Sequence, residues 1–90
     1  MFEIKRSSTF KKDWKKCKFR KNFDEGLFYQ VVSVLARGQK LNIKYRDHFL
    51  TGEMQNFREC HLKPDLLLVY EIKDRKIKLL RMGTHSELFG

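Results

Sequence analysis

The sequence predicts an α+β domain: an N-terminal strand, then a two-helix hairpin packed on a mostly antiparallel four-stranded sheet. Two segments in the first half carry apolar residues at helical spacing. Two in the second half read as strands joined by a polar turn. The resulting order, strand, helix, helix and then three strands, suits a helical hairpin covering one face of a sheet. At 90 residues with 41% hydrophobic and 13% aromatic content, the chain can bury one core, so a single domain spanning 1–90 is expected. Disorder and a multidomain enzyme do not fit this composition.

The first strand is expected at Met1 to Lys5, where Phe2 and Ile4 fall on one face. From Ser7 to Arg20, Phe10, Trp14 and Cys17 recur at i, i+4 and i+7, which predicts an amphipathic helix. Ser7, Ser8 or Thr9 can cap it by accepting a hydrogen bond from an unpaired backbone N–H. A second helix starts at Asp24 as N-cap, with Glu25 complementing the helix dipole. Its apolar stripe is Leu27, Phe28, Val31, Val34 and Leu35, and Gly38 follows Arg37 as a stop. The short connection Lys21 to Phe23 makes the two helices a hairpin. Gln39 to Gly52 has no periodicity and is expected to be a long loop that forms part of the working surface. A strand at Glu53 to Leu62 precedes the hairpin formed by Leu66 to Ile72, the turn Lys73-Asp74-Arg75, and Lys76 to Arg81.

Charge narrows the functional classes. Lys and Arg number 20 against 11 Asp and Glu, a formal charge of +9. Residues 1–23 hold nine Lys or Arg against two acids, and the rest of the chain eleven against nine. On the first helix, Lys11, Lys12, Lys15, Lys16 and Lys18 lie mostly off the apolar stripe. That face is either simply solvated or a surface for a polyanion such as RNA, whose phosphates release counterions when lysine binds them. No apolar stretch is long enough to span a bilayer and no secretion signal opens the chain, so a cytoplasmic protein without membrane contact is expected. Cys17 and Cys60 have no C-x-x-C spacing and read as reduced structural thiols, with neither a disulfide framework nor a zinc knuckle.

His48, His61 and His85 all fall in loops or at strand ends, where catalytic side chains are commonly mounted. Arg46, Asp47, Lys63, Asp65 and Arg81 surround them in sequence, and Pro64 forces an extended or turned backbone before Asp65. One histidine can take a proton from a ribose 2′-hydroxyl while another donates to the departing 5′-oxygen. Arginine or lysine then neutralises the charge gained in the transition state. Such a ribonuclease needs no cofactor. Metal ligation by His48, His61, Asp65 and His85 is the competing chemistry, but no ligand spacing enforces it and the cationic surroundings oppose it, so no metal is expected. The glycines form no phosphate-binding motif and Ser33 and Ser86 no nucleophile elbow. Cys60 and His61 are adjacent on a strand and so point to opposite faces, against a Cys-His nucleophile pair.

Three segments carry a resemblance. Tyr45-Arg46-Asp47-His48-Phe49-Leu50 with Gly52 gives D-H-x-L-x-G. Phe57 to Tyr70 gives R-x-x-H-x-x-P-D followed by an apolar strand ending in Tyr. Arg81 to Phe89 gives R-x-G-T-H-x-x-L-F. Together they resemble the YafQ-like branch of the RelE/ParE toxin superfamily, over essentially the whole chain. The resemblance implies a RelE-like fold and a bacterial type II toxin that cuts mRNA in the ribosomal A site. It also implies a cognate antitoxin, with operator DNA bound only as part of the antitoxin complex. By position, His48, His61, Asp65, His85 and Phe89 match the family's active-site residues, and Arg81 its phosphate-binding arginine. Arg46 and Lys63 are further candidates for phosphate contact, and the lysines of the first helix for ribosomal RNA. Leu66 departs from relatives that carry an aromatic after the Pro-Asp pair, which bears on base stacking there.

In the implied roles His85 is general acid, His48 or His61 is base, and Arg81 stabilises the transition state. Asp65 orients a histidine and Phe89 stacks on a base. The alternatives are a non-enzymatic inhibitor of the same fold, as in the gyrase-directed ParE branch, or a plain RNA- or ribosome-binding module.

Overall fold

The computed structural model describes residues 1–52 and 56–90. Its elements run β1 (Glu3–Arg6), α1 (Ser8–Cys17), α2 (Glu25–Ala36), a 3-10 turn (Ile43–Tyr45), β2 (His48–Phe49), β3 (Arg58–Lys63), β4 (Leu66–Lys73), β5 (Lys76–Gly83) and α3 (His85–Phe89). The sheet order is β1-β5-β4-β3-β2, with β1 parallel to β5 and the other neighbours antiparallel. The α+β class and the mostly antiparallel sheet are as expected. The strand count is not: the sheet has five strands.

The added strand lies in the segment expected to be a loop. His48 and Phe49 pair with Glu59 and Arg58 of β3, and two residues are too few to create a readable alternation. Other boundaries shift as well, the first strand to Glu3–Arg6 and the last on to Gly83. The strand expected at Glu53 to Leu62 runs from Arg58 to Lys63, and its first three residues, 53–55, lie outside the described residues. The first helix stops at Cys17 instead of reaching Arg20, because the next N–H groups turn back in tighter bonds, Arg20 N–H donating to Cys17 O. The short helix α3 was not expected. A capping box builds it, the Thr84 side chain accepting from Glu87 N–H while the Glu87 carboxylate accepts from Thr84 N–H.

The predicted caps are in place, Ser7 Oγ accepting from Phe10 N–H and Asp24 Oδ1 from Leu27 N–H. The helices meet through aromatic rings, with Phe28 6.0 Å from Phe10 and 4.8 Å from Trp14. Beneath them, Leu68, Tyr70, Ile77, Leu79 and Met82 give the sheet's inner face, and Cys17 and Cys60 are buried free thiols in the same core. Gly38 has a φ of +72°, and a side chain there would press on Phe2, whose N–H donates to Ala36 O. The β4–β5 turn is made by Asp74 and Arg75, both left-handed, which matches the twist of a two-residue hairpin.

The edge of β5 changes partner halfway along. From Lys76 to Leu79 it pairs with β1. Beyond that α1 takes over: Ser7 Oγ donates to Leu80 O, and Asp13 Oδ2 accepts from Met82 N–H at 3.0 Å and from Arg81 Nε at 2.8 Å. Asp13 is buried, so its carboxylate needs both donors. Asp13→Ala strands the Met82 N–H and is expected to cost about 2 kcal/mol in urea unfolding. Asp13→Asn keeps an acceptor oxygen and is expected to lose less. Equal losses in the two variants would contradict this role.

Candidate active site

The outer face of the sheet carries the site. Register places His48 opposite Glu59, Glu59 opposite Val69 and Val69 opposite Arg81, so these four positions form a row across β2, β3, β4 and β5. One row along, His61, Leu67 and Gly83 are aligned in the same way. The buried carboxylate of Glu59 lies between two imidazoles, with Oε2 3.2 Å from His48 Nε2 and Oε1 3.9 Å from His61 Nε2. The two rings are 6.2 Å apart. His48 Nδ1 is 2.6 Å from the Arg46 carbonyl and donates to it. Its other nitrogen, Nε2, is the one that faces Glu59. His61 Nδ1 is buried with no hydrogen-bond partner among the described residues.

A second group stands where β5 ends. His85 opens α3, its backbone N–H donating to Asp65 Oδ1 at 3.1 Å, and its ring lies 5.4 Å from that of Phe89. Asp65 thus reaches the main chain of His85, not its imidazole. His61 and Gly83 are separated by β4 alone, which puts this group roughly 10 Å from the first. Gly83 makes room for α3, since an added Cβ would lie 3.0 Å from Glu87 Oε1 and 3.4 Å from Leu88 Cδ2.

Arg81 is tied to Asp13 through Nε and Nη2, leaving Nη1 uncommitted in that pair. Arg46, Lys63 and His61 line one cleft of about 500 Å³, together with Lys44, Tyr45 and Pro64. Lys11, Lys12, Lys15, Lys16 and Lys18 are exposed, and Lys16 lies 3.9 Å from Glu87. Histidines 48 and 61 therefore meet around Glu59, while His85, Asp65 and Phe89 form a separate cluster. Burial pushes the Cys60 thiol up to about 12, which leaves it no nucleophilic thiolate near neutrality.

Sequence reasoning missed the roles of three residues here. Glu59 was legible: the alternation that separates Cys60 from His61 puts Glu59 and His61 on one face. Asp13 sits within the stripe of Phe10, Trp14 and Cys17, where an acid calls for a partner. Asp47 was named beside the histidines, but nothing in the sequence pointed to its partners. Its carboxylate accepts from Arg58 Nη2 at 2.6 Å and from the buried Tyr70 hydroxyl at 2.5 Å, and this anchors the segment between Arg46 and His48. Arg46 itself is left-handed, at φ 52°, so local strain sits next to the histidine cluster.

Residues 2–90 match the family described as bacterial toxin of type II toxin-antitoxin system, YafQ. The chain belongs to that family. The mRNA interferase toxin YafQ of Escherichia coli K12 is 32% identical over 88 residues, 98% of this chain and 96% of that protein. A metal-bound toxin from Helicobacter pylori is 52% identical, with a TM-score of 0.90 over 99% of this chain and all of that one. The E. coli DinJ-YafQ complex aligns over the whole of both chains with 31% identity and a TM-score of 0.90. The fold and the YafQ resemblance thus agree with solved relatives. As for metal, no three His, Cys, Asp or Glu side chains converge as a ligand set among the described residues of this YafQ-family chain. No helix among them is long and apolar enough to cross a membrane.

Glu87 ties α3 to the rest of the site. The Arg20 guanidinium donates to its carboxylate, with help from Thr84 N–H, and holds it at about 2 against an ordinary 4.5. A depressed carboxyl contributes fully above pH 4.5, and that contribution is lost as the pH falls through about 2. The ring resonances of His85 and Phe89 are therefore expected to report release of α3 over that window in an NMR titration. Rings that keep their environment down to pH 2 would contradict the prediction.

Proposed function

We propose that the chain is a ribosome-dependent endoribonuclease that cuts mRNA by histidine acid–base chemistry without a metal, held inactive by a cognate antitoxin. The observation that carries this reading is the Glu59 carboxylate between His48 and His61, beside a cleft that Arg46, Lys44 and Lys63 line. It is supported by relatives named mRNA interferase toxin and by the DinJ-YafQ complex.

His48 is the base. With Nδ1 donating to the Arg46 carbonyl, Nε2 takes the proton of the attacking 2′-hydroxyl, and Glu59 stabilises the imidazolium that forms. His61 has its Nε2 toward the same carboxylate and its buried Nδ1 without a hydrogen-bond partner among the described residues. His85, at the exposed start of α3, returns a proton to the leaving 5′-oxygen. Asp65 positions it through the main chain, and Phe89 beside it stacks on a base. The uncommitted edge of Arg81, with Arg46 and Lys63, offsets the charge gained at phosphorus. The attacking oxygen displaces the 5′-oxygen, so the products are a 2′,3′-cyclic phosphate and a 5′-hydroxyl. Exposed lysines of α1 hold ribosomal RNA without reading its bases. An antitoxin with an acidic segment would complement the same surface.

Cleavage of a defined mRNA on programmed ribosomes tests this reading. The unaltered chain is expected to yield cyclic ends, and His85→Ala and His48→Ala to lose about 100-fold or more in rate with ribosome binding kept. Glu59→Gln is expected to be slower than the unaltered chain yet faster than His48→Ala. Excess EDTA, with magnesium restored for the ribosome, should leave the rate unchanged. Loss of cutting on chelation that zinc or copper restores would establish metal chemistry instead.

A further inference from the structure

The cationic cleft does not end at His61. A second depression of about 280 Å³ runs from Lys63 to Arg20, Lys21, Asp65 and Thr84, and a shallower one of about 690 Å³, across Lys21, Lys63 and Pro64, joins the two. Most of the charged side chains in this groove are basic. Three acids lie along it: Asp24 caps α2, Asp65 holds the N–H of His85, and exposed Glu25 stands at the start of α2. The loop after α1 forms its far wall.

Next to Arg20 in sequence, just outside the residues that line the groove, stands Phe19, 82% exposed and packed on no part of the core. The ammonium of Lys18 sits over its ring, 5.2 Å from the centroid, and Lys15, Lys16 and Lys21 lie within four residues of it in sequence. An aromatic ring left in water contributes nothing to folding. With one lysine over its face and three more close by in sequence, it suits neither a lipid tail nor an apolar protein face. A planar ring with a cation on one side has its other face open to one more flat group, and groove, cations and ring together match how single-stranded nucleic acid is held.

We propose that Phe19 is a stacking platform for a nucleobase of the mRNA strand being cut, away from the cleavage step, with Lys18 and Lys21 on the adjoining phosphates. This rests on the nuclease reading above. It extends the substrate contact beyond the residues that line the groove. Stacking supplies affinity that salt does not screen, whereas the lysines supply a salt-dependent part.

Anisotropy titrations with a short single-stranded RNA, 2′-O-methylated throughout and so unable to be cut, separate these contributions. Phe19→Ala is expected to bind about tenfold more weakly at every salt concentration, with the slope of log K against log [salt] unchanged. Phe19→Trp should restore affinity. Lys18→Ala should instead flatten the slope by about 0.7. Binding of Phe19→Ala to ribosomes without mRNA is expected to equal that of the unaltered chain, and a loss there would move the ring to ribosomal RNA and overturn the assignment. If the unaltered chain binds the RNA and Phe19→Ala follows it within about twofold, the platform fails while the nuclease reading stands. If the unaltered chain binds no free RNA, the platform fails, while the ribosome-dependent nuclease reading, tested on programmed ribosomes, stands.

Discussion

The Asp13 carboxylate is the constraint on which the arrangement depends. A five-stranded sheet must end somewhere, and β5 loses its neighbour β1 after Leu79 with four residues still to run. An unpaired, buried strand edge is costly. Asp13 resolves this by accepting the Met82 N–H and, with the same group, drawing the Arg81 guanidinium against α1. One side chain from the basic helix therefore fixes the end of β5. That fixes Gly83, over which α3 packs, and so the place of His85. The acid is buried, but its charge is met by a guanidinium and a backbone donor, the condition under which a buried carboxylate is tolerated.

Much of the fold was legible because the signals are local. Ser7 and Asp24 cap helices whose stripes have the right period, and β4 and β5 are apolar runs about a turn with strong preferences. What escaped was set by tertiary contact. β2 exists only because β3 lies beside it, and α3 is one turn and a half whose capping box, Thr84 to Glu87, follows directly on a strand. The site divides in the same way. All three histidines were visible as residues, yet their grouping depends on register. The pairing of β2 with β3 puts His48 opposite Glu59, and the same strand places His61 two residues on. No periodicity in the sequence links position 48 to position 59. The pairing of Asp47 with Arg58 and Tyr70, across 11 and 23 residues, was out of reach for the same reason.

The two halves of the candidate site are built to different standards of rigidity. His48 and His61 stand on paired strands around a buried carboxylate, and the loop before His48 is pinned by Asp47 to a core tyrosine. Burial and the Asp47 hydrogen bond both raise the Tyr70 hydroxyl, so it stays a donor throughout the physiological range. His85 and Phe89 ride on a five-residue helix with no buried residue, held by Asp65 at its start and by Glu87 to Arg20 on its side. Those bonds are exposed, and exposed ion pairs are individually weak and screened by salt. The part of the site proposed to deliver a proton to the leaving group is therefore the part that local opening reaches first.

That asymmetry suits a protein whose substrate is itself the largest charge in the system. The two acids among residues 1–23 are both spent internally, Glu3 on Lys5 and Asp13 on Arg81, so neither offsets the lysines that α1 turns outward. Lys16 and Arg20, by contrast, point their charge at Glu87 and so at α3. On the proposed reading, a polyanion bound along α1 would compete with Glu87 for these two cations while neutralising the repulsion among the rest. The charge that attracts the strand and the charge that holds the terminal helix would then be the same charge. Binding and the seating of His85 would be coupled through it, with no moving part beyond one short helix.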